Sequence, residues 1–171
     1  MLAEYVHRST SVTIEGMWPD IATAPGNDNV RLRAARVLRA SGARNEPIDV
    51  ATDFNIEIEY WNLTPSDRVT ISVNVHRDDG LLVFSTGTLE PLPRGNALYR
   101  ETGRVPGNLM NEGFYTIELA VVYGQRSVYR HENLLGFHIA DRADLRPGGS
   151  INGPGRSGRF FNGRPHSSPA P

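Results

Sequence analysis

The sequence contains no cysteine and no lysine; all 18 of its basic residues are arginine. Without cysteine there can be no disulfide, no thiol nucleophile and no thiolate-bound zinc. That absence leaves the compartment open. Without lysine there can be no P-loop, because a P-loop needs the lysine that reaches the β- and γ-phosphates. Schiff-base and lysine-base chemistry are excluded as well. No Rossmann glycine fingerprint follows a strand pattern. Gly148-Gly149-Ser150-Ile151-Asn152 lacks the closing glycine of a nucleophile elbow. No window approaches 18 uninterrupted apolar residues, which excludes a membrane-spanning helix. Met1 to Arg8 has no apolar core of the signal-peptide kind, so the chain is expected in the cytoplasm. Excess charge is also missing: 18 basic residues face 19 acidic ones, for a net charge of −1. The arginines are dispersed, and nothing draws the chain electrostatically to nucleic acid.

The chain is 171 residues long, enough for one self-supporting core. Its composition divides it in three. Residues 1–29 are a polar lead-in that ends in the turn-rich Ala24-Pro25-Gly26-Asn27-Asp28-Asn29. Residues 30–145 are the expected folded domain. Residues 146–171 form a Gly/Pro-rich tail, with Phe160-Phe161 as its one apolar feature. The tail is expected to dock, to add or swap a strand, or to stay loose.

The middle region reads with period 2. Phe54, Ile56, Ile58 and Tyr60 alternate with Asn55, Glu57, Glu59 and Trp61. Val69, Ile71, Val73 and Val75 alternate with Thr70, Ser72, Asn74 and His76. Tyr115, Ile117, Leu119, Val121 and Tyr123 form a third strand, and Val30 to Ala40 a fourth. In the fourth, the adjacent Ala34-Ala35 breaks the alternation and marks a candidate bulge. Leu81–Ser85, Val128–Arg130 and Leu134–Ala140 are shorter strand candidates. Arg77-Asp78-Asp79-Gly80 has hairpin chemistry, and Gly124-Gln125-Arg126 is a similar reversal. Helical period is sustained nowhere beyond a short stretch at the start. Seven or eight short strands with frequent turns predict an all-β, immunoglobulin-like antiparallel β-sandwich.

Catalytic and metal chemistry find little support. His76-x-Asp78 and His131-Glu132 could each supply two ligands, but a strand-end histidine beside a turn carboxylate is the ordinary reading. No metal and no cofactor is expected. Glu57, Glu59 and Glu118 on outward faces allow a paired-carboxylate glycosidase to be imagined, yet solvated strand faces carry glutamate routinely. Asn62-Leu63-Thr64 reads as a turn before Pro65 rather than as a glycosylation acceptor.

A polar sheet face remains. If the two strands are neighbours, Asn55, Glu57, Glu59 and Trp61 share a side with Ser72, Asn74 and His76. Sugars present C–H faces together with hydroxyl groups. A sugar site therefore wants an aromatic platform beside groups that both donate and accept. Trp61, Asn74, His76, Glu59, Glu57 and Asn55 are the candidate carbohydrate-binding residues on that ground. The alternative is a solvated face whose tryptophan covers a strand end.

The order of several segments resembles a known family. These segments are Ala24 to Leu32, Pro47 to Tyr60, Asp79 to Thr86, Asn108 to Tyr115 and Leu134 to Asp141. Together they resemble the C-terminal carbohydrate-binding domain of the ATP-binding subunit of bacterial polysaccharide ABC exporters, the Wzt type of O-antigen export. The resemblance spans about residues 1–145, with Tyr5 and its neighbours similar to the linker after the ATPase. It implies a dimeric β-sandwich that recognises the exported glycan without catalysis. It also implies three partners: the polysaccharide, an ATPase domain and a membrane subunit. The implied location is the inner face of the cytoplasmic membrane, held there by the transporter. Two alternative readings are a protein–protein assembly module and, further off, a carbohydrate-active enzyme.

Overall fold

The computed structural model describes residues 12–42, 46–63, 69–87, 97–123 and 126–141. Tyr5, the Gly124-Gln125 reversal, Leu145, Gly148–Asn152 and the whole 146–171 tail with Phe160-Phe161 lie outside the described residues.

Two sheets pack face to face, and the described residues contain no helix. The first sheet has four strands: β1 (Glu15–Met17), β2 (Val30–Arg39), β4 (Phe54–Asn62) and β7 (Ala97–Val105), in the order β1-β2-β4-β7. The second has five: β3 (Ile48–Asp49), β5 (Val69–Arg77), β6 (Leu82–Gly87), β8 (Gly113–Tyr123) and β9 (Arg126–Ala140). Their order is β3-β9-β8-β5-β6. All pairings are antiparallel except the two-residue β3, which runs parallel to β9. The predicted all-β sandwich is the observed fold.

The inward residues of each alternating strand build the core. Phe54, Ile56, Ile58 and Tyr60 of β4 face Val69, Ile71, Val73 and Val75 of β5 and Tyr115, Ile117, Leu119 and Val121 of β8, and all are buried. Phe54 of one sheet meets Phe137 of the other with ring centroids 5.5 Å apart, and Phe137 stacks on Tyr115 at 5.7 Å. Full burial of such side chains stabilises by roughly 2 kcal/mol each, so the interlock of the sheets is mainly apolar.

Several local expectations take physical form. The Ala34-Ala35 irregularity is a register shift between Leu32 and Ala34 in the β2–β4 pairing. Gly80 closes the 77–80 turn at φ 84°, a left-handed conformation open to glycine. Asp79 Oδ1 accepts from the Leu81 amide at 3.0 Å, so the turn is held by its own carboxylate.

Other expectations are corrected. The two short strands at Val128–Arg130 and Leu134–Ala140 are parts of one strand, β9. Asn133, at φ 52°, absorbs the irregularity between them, where residues 132–134 face β8 across a shifted register. The sandwich also begins inside the lead-in. Thr13 pairs with Gly136 of β9, and Glu15–Met17 pairs with β2, so one segment ties together the edges of both sheets.

Candidate functional site

Strands β4 and β5 are not neighbours. They belong to different sheets, facing each other across the core. Their polar residues therefore point to opposite sides of the sandwich. The condition that would have joined Trp61 to Asn74 and His76 is not met. Asn55, Glu57, Glu59 and Trp61 lie on the outer face of the four-stranded sheet. Asn74 and His76 lie on the outer face of the five-stranded sheet.

The four-stranded face is an ionic lattice. Glu59 is 1% exposed although its strand position points outward, because guanidinium groups cover it. Arg33 Nη1 donates to its Oε2 at 2.8 Å, Arg36 Nη1 to Oε1 at 2.8 Å, and Arg100 Nη2 to Oε1 at 2.7 Å. Arg36 also donates to Glu15 at 2.8 Å and to Glu57 at 2.6 Å. Burial pushes the Glu59 carboxyl up, but the bonds from Arg36 and Arg100 outweigh it and hold the group below its ordinary value. Burial likewise opposes the charge on Arg36, and its three carboxylate partners outweigh that and raise its pKa. Glu57 and Glu59 are thus committed to guanidinium partners. Trp61 sits in register with Arg31 on one side and Leu98 on the other.

The five-stranded face is different. Asn74 is opposite Glu118 on β8 and Ser85 on β6. Asn74 Nδ2 donates to Glu118 Oε1 at 2.8 Å, and Ser85 Oγ donates to Asn74 Oδ1 at 2.6 Å. Ser72 Oγ lies 3.3 Å from Ser85 Oγ, and Arg130 Nε lies 3.6 Å from Glu118 Oε1. The result is a row of hydroxyl, amide and carboxylate groups across three strands. His76 continues it, in register with Thr116. Its Nδ1 lies 3.4 Å from the Gly80 carbonyl, while its buried Nε2 has no hydrogen-bond partner.

An aromatic ring belongs to this face too. Phe114 precedes the inward Tyr115 and so turns outward, opposite the exposed His138 of β9. It is half-buried and takes no part in the core. It lies one outward position, about 7 Å, from Thr116 and hence from the level of His76. Alternation placed Ser72 beside Asn74 and His76, whereas Phe114, Glu118 and Ser85 were not joined to them. Their outward positions were readable from alternation. The strand order that brings them together was not.

The other pairs considered from sequence do not assemble. His131 is in register with inward-facing Leu119 and lies 2.9 Å from the Tyr129 hydroxyl, whereas Glu132 is exposed. Asp78 is exposed in the turn, and its amide donates to the Phe114 carbonyl at 3.1 Å. Among the described residues no group of three or more histidine, aspartate or glutamate side chains is placed to hold a metal ion. Glu118 is on the opposite side of the molecule from Glu57 and Glu59, so those three carboxylates cannot flank one bond.

By its layers and strand order the chain is a two-sheet β-sandwich with one ionic and one hydrogen-bonding outer face. The particular likeness is to the crystal structure of the C-terminal domain of Wzt. The TM-score is 0.57 with 14% sequence identity, covering 77% of this chain and 83% of that one, and the two share a fold. No protein-family model matches the sequence, and no curated protein matches it.

Proposed function

We propose that this domain is a non-catalytic carbohydrate-binding module that recognises a bacterial surface polysaccharide for an ABC exporter. The observation that carries the reading is the outer face of the five-stranded sheet. There the Ser72–Ser85–Asn74–Glu118 row runs beside Phe114 and His76. A pyranose lays a C–H face on an aromatic ring and offers hydroxyls that donate and accept, and this face supplies both kinds of partner. The fold shared with the C-terminal domain of Wzt, and the segment order described above, support the exporter context. ATP hydrolysis would then come from a linked or partner ATPase, since a chain without lysine has no P-loop. The domain would work as a homodimer at the inner face of the membrane, through the transporter.

Affinity should be modest, because a shallow face buries little apolar area. An array of bacterial O-polysaccharides, followed by calorimetric titration, tests the reading. Binding that is lost in Asn74→Ala and Phe114→Ala, with the fold retained, supports it. Absence of binding to any polysaccharide, or binding untouched by both substitutions, overturns it.

A further inference from the structure

The exposed large apolar side chains among the described residues are unevenly spread. Val12, Met17, Ile21 and Leu109 stand singly, while Leu81, Leu82 and Val83 follow one another at 58%, 49% and 39% exposure. Scattered apolar residues are ordinary on a surface, whereas three in a row mark a contact. This strip lies where the 77–80 turn enters β6. Leu82 is in register with His76, and Val83 falls in the register shift between Leu82 and Phe84. Such a bulge spoils the edge as a template for another strand, so the strip offers side chains rather than backbone. Its surroundings are acidic. Asp78 and Asp79 are exposed, with the single cation Arg77 beside them. Glu112, also exposed, lies two residues before Phe114, whose carbonyl accepts from the Asp78 amide.

We infer that the occupant of this strip is the chain's own C-terminal tail, seated through Phe160 and Phe161. Residues 146–171 hold four arginines and no acidic residue, and the phenylalanine pair is bracketed by Arg159 and Arg164. All 19 acidic residues precede the tail. An aromatic pair flanked by guanidinium groups complements an aliphatic strip flanked by carboxylates.

Reach fits as well. β9 ends at Ala140, at the same end of the five-stranded sheet as the 77–80 turn, because Arg77 pairs with Tyr115 and Tyr115 with Phe137. From β9 to β6 is three strand spacings, about 14 Å. The 18 residues between Asp141 and Phe160 are glycine-rich. A flexible chain of that length spans about 23 Å on average, close to the distance required. A tether so matched holds its end at an effective concentration on the order of millimolar, so a weak contact suffices. Residues 88–96 leave from the far end of the sheet, where Gly87 pairs with Ser72.

The seated pair would lie beside His76 and Phe114, at one end of the polar row. There the tail would compete with polysaccharide and be displaced by it. This last step rests on the proposed sugar-binding reading; the docking does not.

A single spin label tests the docking, because a chain without cysteine takes one label at Ser167→Cys. The methyl signals of Leu81, Leu82 and Val83 should broaden, while Met17, exposed on the other sheet, should not. Phe160→Ser with Phe161→Ser should abolish the broadening, and Arg159→Glu with Arg164→Glu should weaken it. Absence of broadening at the strip overturns the inference. So does equal broadening at Met17, or broadening untouched by both pairs of substitutions in a folded chain. Broadening that passes from a spin-labelled chain to an unlabelled one in a mixture overturns it too, since the tail would then belong to another copy. Titration with the polysaccharide found on the array separates the two readings. Affinity should rise roughly threefold in the Phe160→Ser, Phe161→Ser chain, the gain expected when a cap that fills two thirds of the sites is removed. A docked tail in a chain that binds no polysaccharide leaves the docking standing and removes the sugar reading.

Discussion

The two outer faces of the sandwich both alternate polar residues with core residues, yet their chemistry is opposite. On the four-stranded sheet, Glu15, Glu57 and Glu59 are matched by Arg33, Arg36 and Arg100, and the central carboxylate is buried under its partners. On the five-stranded sheet, hydroxyl and amide groups and the solvated Arg130 flank one carboxylate, and a buried histidine nitrogen lacks a partner. An ion-pair lattice holds its own sheet together and spends its buried carboxylates on guanidinium partners. A row of neutral hydroxyl and amide groups, each with more than one donor or acceptor position, can take further hydrogen bonds. Polarity on a strand face is therefore a poor guide to binding; what matters is how many of the groups are already matched.

Glu59→Ala should have the largest effect. It would leave Arg36, itself 8% exposed, short of its best partner. Losing one member of a buried charge cluster should cost about 2 kcal/mol, even though Glu15 and Glu57 remain. Glu118→Ala on the other face, where Arg130 is largely solvated, should cost well under that. Chemical denaturation of the two variants checks it. Equal losses would mean that the faces do not differ in structural role. Polysaccharide binding should show the reverse pattern, kept in Glu59→Ala and lost in Glu118→Ala.

Phe114→Ala should weaken polysaccharide binding about tenfold, the scale of one lost aromatic contact, and leave thermal stability nearly unchanged because the ring is outside the core. Calorimetry with the polysaccharide identified on the array reads the first, and a melting curve the second. A large drop in stability would show that Phe114 is structural.

Much of this was legible in the sequence, and the gaps have physical causes. The β4, β5 and β8 patterns alternate cleanly, so existence, period and buried face could all be read. The bulge at Arg33 was signalled by its neighbours Ala34-Ala35, where two small residues interrupt the period. β7 was not anticipated, because its inward positions include Glu101 and Gly103 and the apolar alternation fails there. Glu101 can face inward because the Tyr60 hydroxyl donates to its Oε1 at 2.9 Å. The candidate site was half legible. Asn74 and His76 were named, but pairing them with Trp61 assumed that strands consecutive in sequence are neighbours. In a sandwich, a chain often crosses to the other sheet between strands, and alternation alone carries no record of that crossing.

Glu101 also supplies a contrast within the four-stranded sheet. Burial pushes its carboxyl above the ordinary value, and the Tyr60 bond only partly offsets this, whereas Glu59 is held below. The signs follow from linkage. The Glu59 contribution is present above the unfolded carboxylate range and is lost as pH falls through its lowered value. Glu101 binds its proton more tightly in the folded state, so stability falls as pH rises from the ordinary carboxylate range through its raised value. Glu101→Gln should remove that fall. Its melting temperature at neutral pH should rise by roughly 3 °C relative to the unaltered protein, with no gain at acidic pH. Melting curves across pH 3–8 check this. A gain that is the same at every pH would show that Glu101 is not the titrating group.

Trp61→Ala carries the smallest expected effect and tests the separation of the faces most directly. Composition makes Trp61 the natural sugar platform, being the larger aromatic and next to acidic and amide residues. Its place in register with Arg31 and Leu98 puts it on the ionic face, across the whole core from Asn74. If binding resides on the five-stranded sheet, Trp61→Ala should change the dissociation constant for polysaccharide by less than about twofold, within the range of remote surface substitutions. Titrating it beside Phe114→Ala on the same polysaccharide gives the answer as a ratio. A loss from Trp61→Ala as large as that from Phe114→Ala would mean that the glycan reaches both faces, or that the ionic lattice is itself a recognition surface. The assignment of one face to stability and the other to binding would then fail.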